Sequence, residues 1–376
     1  MTIGIRSNVA ALNAQRYLNK SSGSQEAAME KLASGNRINN ATDDAAGLQI
    51  SNRLMEQSSG LNMAIQNAHN GISVAQTADG ALDETSQLLR NMRDLSLQAS
   101  NGSNSQDDRK AIQQDVTAIN NEINHIAKTT TFAGDLLLNG TYGTKSFQIG
   151  NDGGTAVHLH LENMGSDVAM MGGKTFQATK EADQDWEVSS GKNDLSITLS
   201  SGDQAQTINI SAKKGDDIEE LASYINGQTD QLQASVNEHG QLQLFAGNSN
   251  VNGSVKITGS LADELGIKQG KDTTVNDIQV TTAGGAQQAV GVIDAALKFV
   301  DQQRGQLGAL QNRFDHTINN LTKINENIIA SNGRIRDTDF AKTTTDMTKD
   351  QILSQASSAI LAQAKQLPQA ALGLLR

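Results

Sequence analysis

The chain has 376 residues, no cysteine, one proline (Pro368), one tryptophan (Trp186), 3% aromatic residues and a formal net charge of -11. This balance excludes a disulfide framework and a thiolate metal site, and it argues against nucleic acid as a partner, which demands a basic stripe. No apolar run is long enough to span a bilayer, and Met1–Asn8 lacks the basic-then-apolar layout of a secretory leader.

In chain order, Ile5, Val9 and Leu12 step by four and three, with Ala10, Ala14 and Tyr17 beside them. Ala27, Ala28, Met29 and Leu32 resume the stripe after Ser21–Ser24 (Ser-Ser-Gly-Ser), which reads as an interruption. Ser34–Asp44 is rich in Gly, Asn and Asp and predicts a linker that caps a new helix. Asp43-Asp44 resembles a catalytic carboxylate pair, but a helix start with a favourable dipole contact is the better reading. The new helix carries Leu48, Leu54, Leu61, Ile65, Ala68, Ile72 and Ala75, then Leu82, Leu89, Met92 and Ala99, and stops at Asn101-Gly102-Ser103-Asn104-Ser105. A third helix is predicted from about Asp107 to Lys128 on the seam Ile112, Val116, Ile119, Ile123, Ile126.

From Phe132 the period changes to two, and Ser146–Ile149 and Val157–Leu161 predict a β-hairpin. His158 and His160 share a face of it; without a third ligand of clear identity, the pair reads as a solvated surface rather than a metal site. A separate α+β module follows, with strands at Leu195–Leu199, Thr207–Ile210, Leu232–Val236, Leu242–Phe245 and Val255–Thr258 and short helices near Ile218–Ile225 and Leu261–Ile267. Trp186 belongs to this module as core or as a partly exposed anchor. Val290, Ile293, Leu297, Val300, Leu307, Leu310, Phe314, Ile318, Leu321, Ile324 and Ile328 then form a second long seam, suited to coiled-coil packing. A last seam, Leu353, Ala356, Ile360, Ala364, Leu367, leads to an apolar finish at Ala370–Leu375 that needs a partner.

The expected fold is α+β and multidomain: a long antiparallel helical coiled coil or bundle formed by both chain ends, a β-hairpin and an inserted α+β domain. The boundaries expected are 1–40 with 336–376 for a terminal helical pair, 41–173 with 286–335 for the bundle and hairpin, and 174–285 for the insert. No His-Glu-x-x-His, Gly-x-Ser-x-Gly or phosphate-loop pattern occurs, so no catalytic residue, cofactor or metal is assigned and an enzyme is not expected.

Several segments resemble those of bacterial flagellins. They are Leu32-Ala33-Ser34-Gly35 with Ile38-Asn39, Asp43–Leu48, Asn70–Ser73 with Gln76-Thr77-Ala78, Arg304–Ala309 with Gln311–Phe314, Arg334–Asp339, and Leu367-Pro368-Gln369. The likeness covers roughly residues 1–140 and 290–376; residues 196–267 are more weakly similar to an insertion module of flagellins and hook-associated proteins. It implies a subunit exported unfolded by the flagellar secretion system, polymerising outside the cell into the flagellar filament for motility. The expected intersubunit contacts are Ile5, Val9, Leu12, Tyr17, Leu353, Ile360, Leu361, Leu367, Leu372 and Leu374. The implied partners are copies of itself, sister flagellins, the cap, the hook-junction proteins and an export chaperone. The family's toll-like receptor contact maps to Asn91, Arg93, Leu95 and Gln98, where Asn91 replaces an arginine common in receptor-activating members. A hook–filament junction protein and, from another class, a soluble coiled-coil signalling protein are the rival readings.

Overall fold

The computed structural model describes residues 8–150, 154–182, 186–201, 204–229, 231–248, 255–267 and 270–373. Ile5 and Leu374 lie outside them. Helix α1 spans Val9–Ser34, with Asn8 as its cap accepting the Ala11 amide at 3.0 Å. It does not break at Ser21–Ser24: Ser21 is buried and its hydroxyl donates to the Leu18 carbonyl, so the small residues mark a packing surface rather than a stop. Asp44 accepts the Gly47 amide at 2.8 Å and starts α2, Ala45–Ser100. Arg109 closes the far end of α2, donating to the carbonyls of Ala99 and Asn101. A reciprocal capping box between Ser105 and Asp108 then begins α3, Gln106–Thr129.

Two short ladders follow, β1 (Thr131–Phe132) with β2 (Asp135–Leu136) and the hairpin β3 (Gly143–Gln148) with β4 (Ala156–Leu161). Along β4, Val157, Leu159 and Leu161 are buried while His158 and His160 face out, as an alternating strand requires. The insert contains a four-stranded antiparallel sheet, ordered β11-β5-β9-β8, and a three-stranded one, β10-β6-β7. Their strands are β5 (Gly172–Gln177), β6 (Asp194–Ser201), β7 (Gln204–Ser211), β8 (Leu232–Val236), β9 (Leu242–Gly247), β10 (Val255–Thr258) and β11 (Lys271–Thr274). Helices α4 (Ile218–Gln228) and α5 (Ser260–Leu265) join them around a core that includes Phe176, Leu195, Ile197, Leu221, Ile225 and Leu244; Trp186 packs against it, partly buried. Helices α6 (Ala283–Arg336) and α7 (Phe340–Gly373) complete the chain.

The chain divides into two compact units, one of residues 67–148 and 156–317, the other of residues 1–66, 149–155 and 318–376. In the first, α2, α3 and α6 bury Leu82, Leu89, Met92, Val116, Ile123, Ile293, Phe299, Val300 and Leu307 in one core with the hairpin. The hairpin is fixed by an aromatic contact: Phe147 meets Phe314 edge-on, ring centroids 5.9 Å apart at 84°. Gly71 on α2 makes room for it, since a Cβ there would lie 2.6 Å from the Phe314 ring.

The second unit holds α2 and α6 together differently. Its apolar core is small, Leu61, Ala64 and Leu321 with Ile65 and Ile328. Side-chain hydrogen bonds supply the rest: Ser51 to Asn332 and Ser58 to Asn325, both at 2.6 Å, and Asn325 to Asn62 at 2.9 Å. Both bonded pairs are one heptad apart on each helix, which pins the register. Ile324, expected on the apolar seam, is 40% exposed, because Asn325 takes the position facing α2.

Gly71→Ala is expected to destabilise the protein by about 1–3 kcal/mol, the usual effect of overpacking a filled site. Combining it with Phe314→Leu should recover part of that loss. Urea unfolding followed by circular dichroism checks both; additive effects of the two substitutions would contradict the close approach.

Candidate assembly surface

The chain ends form an antiparallel pair. Asn8 at the head of α1 donates through Nδ2 to the Ala364 carbonyl at 2.6 Å, and the Gly35 carbonyl at its foot accepts the Thr338 amide at 3.0 Å. The contact line is made of small residues: Ala14, Ser21 and Ala28 on α1 and Ser357 and Ala364 on α7, all 4–9% exposed. On each helix they recur by heptads, and such side chains let two helix axes approach closely.

Large apolar side chains stand away from this line. Val9 (62%), Leu12 (60%), Tyr17 (68%), Leu353 (45%) and Ile360 (56%) are exposed, and so are Phe340 (58%) and Ile352 (61%). These apolar stripes are therefore left outside the pair, because side chains of that size would hold the helices apart. Leu361 is half-buried. Leu367 and Leu372 fall on the helical backbone of α7. Phe340 and Ile352 were missed because periodicity was followed along one face, whereas α7 is apolar on several.

Two hollows result. Ala10, Tyr17, Leu353, Ile360 and Ala356 line a groove of about 540 Å³ along α1 and α7, with the buried Ala14 among its lining residues. Phe340, Ala341, Thr344, Thr348, Ile352 and the shared Leu353 line a shallower one of about 760 Å³ on α7.

The junction below the pair is a backbone clasp. The Arg37 amide donates to the Arg336 carbonyl at 2.6 Å, the Thr338 amide donates to Gly35, and Asn36 faces Asp337 across an antiparallel bridge. Gly35 takes the left-handed conformation that ends α1, with φ of 72°. Asp43 accepts the Asn39 and Asn40 amides, both at 3.0 Å, and Asp339 accepts the Lys342 amide to begin α7. Ile38 is buried against Gly47, whose missing Cβ would lie 2.7 Å from the Ile38 Cδ1. The two aspartates at 43 and 44 thus both cap backbone.

On α2, Asn91, Leu95 and Gln98 are spaced to share one flank; Asn91 and Gln98 are exposed and Leu95 is half-buried. Arg93 lies about 200° around the helix from Asn91. Its Nε contacts the Asp294 carboxylate at 2.6 Å, and this hydrogen bond raises the guanidinium above its already high ordinary range. His160 sits between Thr144 Oγ1 at 2.8 Å and Glu162 Oε1 at 2.9 Å, and His158 projects from the same exposed face. Among the described residues no three His, Asp, Glu or Cys are grouped to hold a metal ion, and no helix is long and apolar enough to cross a membrane.

Comparison with known proteins covers both ends and the middle. The bacterial flagellin N-terminal helical region matches residues 5–143, the C-terminal helical region matches 290–375, and the flagellin hook IN motif matches 196–248. Flagellin C of Vibrio anguillarum is 61% identical over 376 residues, and polar flagellin B/D of Vibrio parahaemolyticus is 60% identical over 377 residues; all of both chains is covered in each case. Among solved structures, FliC from Burkholderia pseudomallei is similar at 23% identity and a TM-score of 0.40, over 65% of this chain and 99% of that one.

The amides donated to Asp43 hold its carboxyl below the ordinary 3.8. A carboxyl depressed in the folded state stabilises above its unfolded value, and that contribution is lost as pH falls through the folded value. Amide exchange at Asn39 and Asn40 is therefore expected to quicken below about pH 4, beyond the change in intrinsic exchange rate. In Asp43→Asn that acid-dependent step should be absent; an unchanged step would assign it elsewhere.

Proposed function

The chain belongs to the bacterial flagellin family and is a structural subunit of the flagellar filament, and we propose that it polymerises by burying the outer apolar faces of α1 and α7 between copies. One observation carries this reading. Among the described residues, those buried in the terminal pair are Ala and Ser, while seven large apolar side chains, Val9, Leu12, Tyr17, Phe340, Ile352, Leu353 and Ile360, remain more than two-fifths exposed. Burying such a side chain completely stabilises by roughly 1.5–3 kcal/mol, about half of which is still to be gained at these exposures, so a neighbour that covers several supplies the driving force. Ile5, Leu361, Leu367, Leu372 and Leu374 belong to the same proposed contact as continuations of the two stripes.

Before assembly these faces need shielding. A chain without cysteine forms no crosslinks while it travels extended, which suits export in the unfolded state through the flagellar secretion system. The α7 face is where an export chaperone would bind. Sister flagellins, the cap and the hook-junction proteins would meet the same faces in the growing filament outside the cell. A toll-like receptor would find Asn91, Leu95 and Gln98 together on α2, but would have to compete with Asp294 for Arg93. The junction-protein and signalling readings are set aside, because the relatives at about 60% identity over the whole chain are flagellins.

Tyr17→Asp and Ile360→Asp test the contact, since both side chains are exposed in the single chain and their loss leaves its fold intact. Leu361 is a poorer probe because it is already half-buried in the single chain. Each substitution should raise the critical concentration for seeded polymerisation at least tenfold, which is a loss of about 1.4 kcal/mol per subunit. Sedimentation reads the polymer and circular dichroism the fold. Parental filaments from both variants would overturn the assignment.

A further inference from the structure

We propose that Met55 is a site of sulfoxidation, primed by the guanidinium of Arg336 at the junction below the terminal helix pair. Among the described residues three methionines are exposed, to a similar extent: Met29 (47%), Met55 (47%) and Met63 (55%). Of these three, the Met55 sulfur has a cation on it, with Arg336 Nη1 at 3.1 Å from Sδ. The Arg336 Nε is buried without a hydrogen-bond partner. The Nε is closed to solvent, so the Nη1 on the accessible thioether is the donor that meets an incoming oxidant.

The oxidant required is a peroxide, and hydrogen peroxide is its simplest case. A sulfur lone pair attacks one peroxide oxygen, the S–O bond forms as the O–O bond breaks, and the hydroxide leaves with the proton of the transferred oxygen as water. Sulfur is oxidised by two electrons and the peroxide reduced by two. Negative charge develops on the departing oxygen, and a fixed guanidinium within reach stabilises it. The hydrogen bond on sulfur opposes attack, but a thioether is a weak acceptor, whereas bonds from a cation to a developing anion are among the strong ones. The product places a sulfoxide oxygen, a far better acceptor, against the same cation. The backbone carbonyl of Arg336 is one half of the clasp to Arg37, so the modified side chain lies one arginine side chain away from that clasp.

The test is a peroxide time course on the soluble full-length chain, with site occupancy read by peptide mass spectrometry. Met29 and Met63 serve as internal controls matched for exposure. Oxidation of Met55 at least threefold faster than either, and a fall of that ratio to about one in Arg336→Gln, would support the proposal. The clasp uses the Arg336 carbonyl and not its side chain, so amide exchange at Arg37 and Thr338 should be unchanged in that variant. Arg336→Lys, which keeps a cation, should retain a ratio above one. A parental ratio of one or less overturns the proposal whatever the variants do, as does a ratio that survives Arg336→Gln.

Discussion

The line of small buried residues in the terminal pair, Ala14, Ser21 and Ala28 on α1 and Ser357 and Ala364 on α7, is the constraint from which the terminal architecture follows. Small side chains allow near approach but remove little apolar surface from water, so the pair gains much less than a leucine seam of equal length would provide. Ordering two helices of 26 and 34 residues also costs backbone entropy of at least about 1 kcal/mol per residue. The balance within one chain is therefore slender. Anything that binds the ordered pair and not the disordered ends shifts it by mass action, and in the proposed contact neighbouring subunits are such a ligand. Weak self-pairing and strong outward apolarity are two sides of one arrangement.

The same division of labour continues below the clasp. Where α2 and α6 pack with α3, the core is filled by Leu, Ile, Val and Phe. Where the second unit holds only the pair, Ser51–Asn332 and Ser58–Asn325 take positions that an isolated coiled coil would give to apolar residues. Such pairs fix register at some loss of stability, because each amide or hydroxyl must be desolvated to make its bond. The clasp is slighter still, two backbone hydrogen bonds between the linkers, with Gly35 in a left-handed turn. Stability thus descends from the three-helix core towards the chain ends, which places the deformable parts where assembly has to act.

Much of this was legible in the residues, and the gaps have physical reasons. Capping signals placed α2 and α3 closely, since Asp44 and the Ser105–Asp108 box bind the free amides of a first turn in any context. The alternation Val157-His158-Leu159-His160-Leu161 gave β4 because one face is buried and the other wet. Strand β5 was hidden by Gly172-Gly173, residues poor in strand preference but required there. A Cβ at either would lie 2.1 Å from a carbonyl oxygen of the neighbouring strand. Strand β11, Lys-Asp-Thr-Thr, has no apolar alternation because it lies at the edge of its sheet. At the chain ends the eye follows large side chains, and the seam is made of small ones. Ser21 and Gly23 looked like a break for that reason, and the face that pairs within one chain could not be told from the face that does not.

A helix apolar on one face can be satisfied by one partner; α7 is not such a helix. Its line towards α1 carries Ser357 and Ala364, one flank carries Leu353 and Ile360, and Phe340 and Ile352 point elsewhere again. A two-fold dimer would use one patch twice and leave the others in water. Two different patches on each copy instead allow each subunit to cover one neighbour while a second neighbour covers it. Contacts of that head-to-tail kind close into a ring only for special rotations, and otherwise they propagate as an open helix. The pattern that leaves α7 unsatisfied in the single chain is thus the pattern an open helical polymer needs, with each added copy exposing a fresh patch at the growing end.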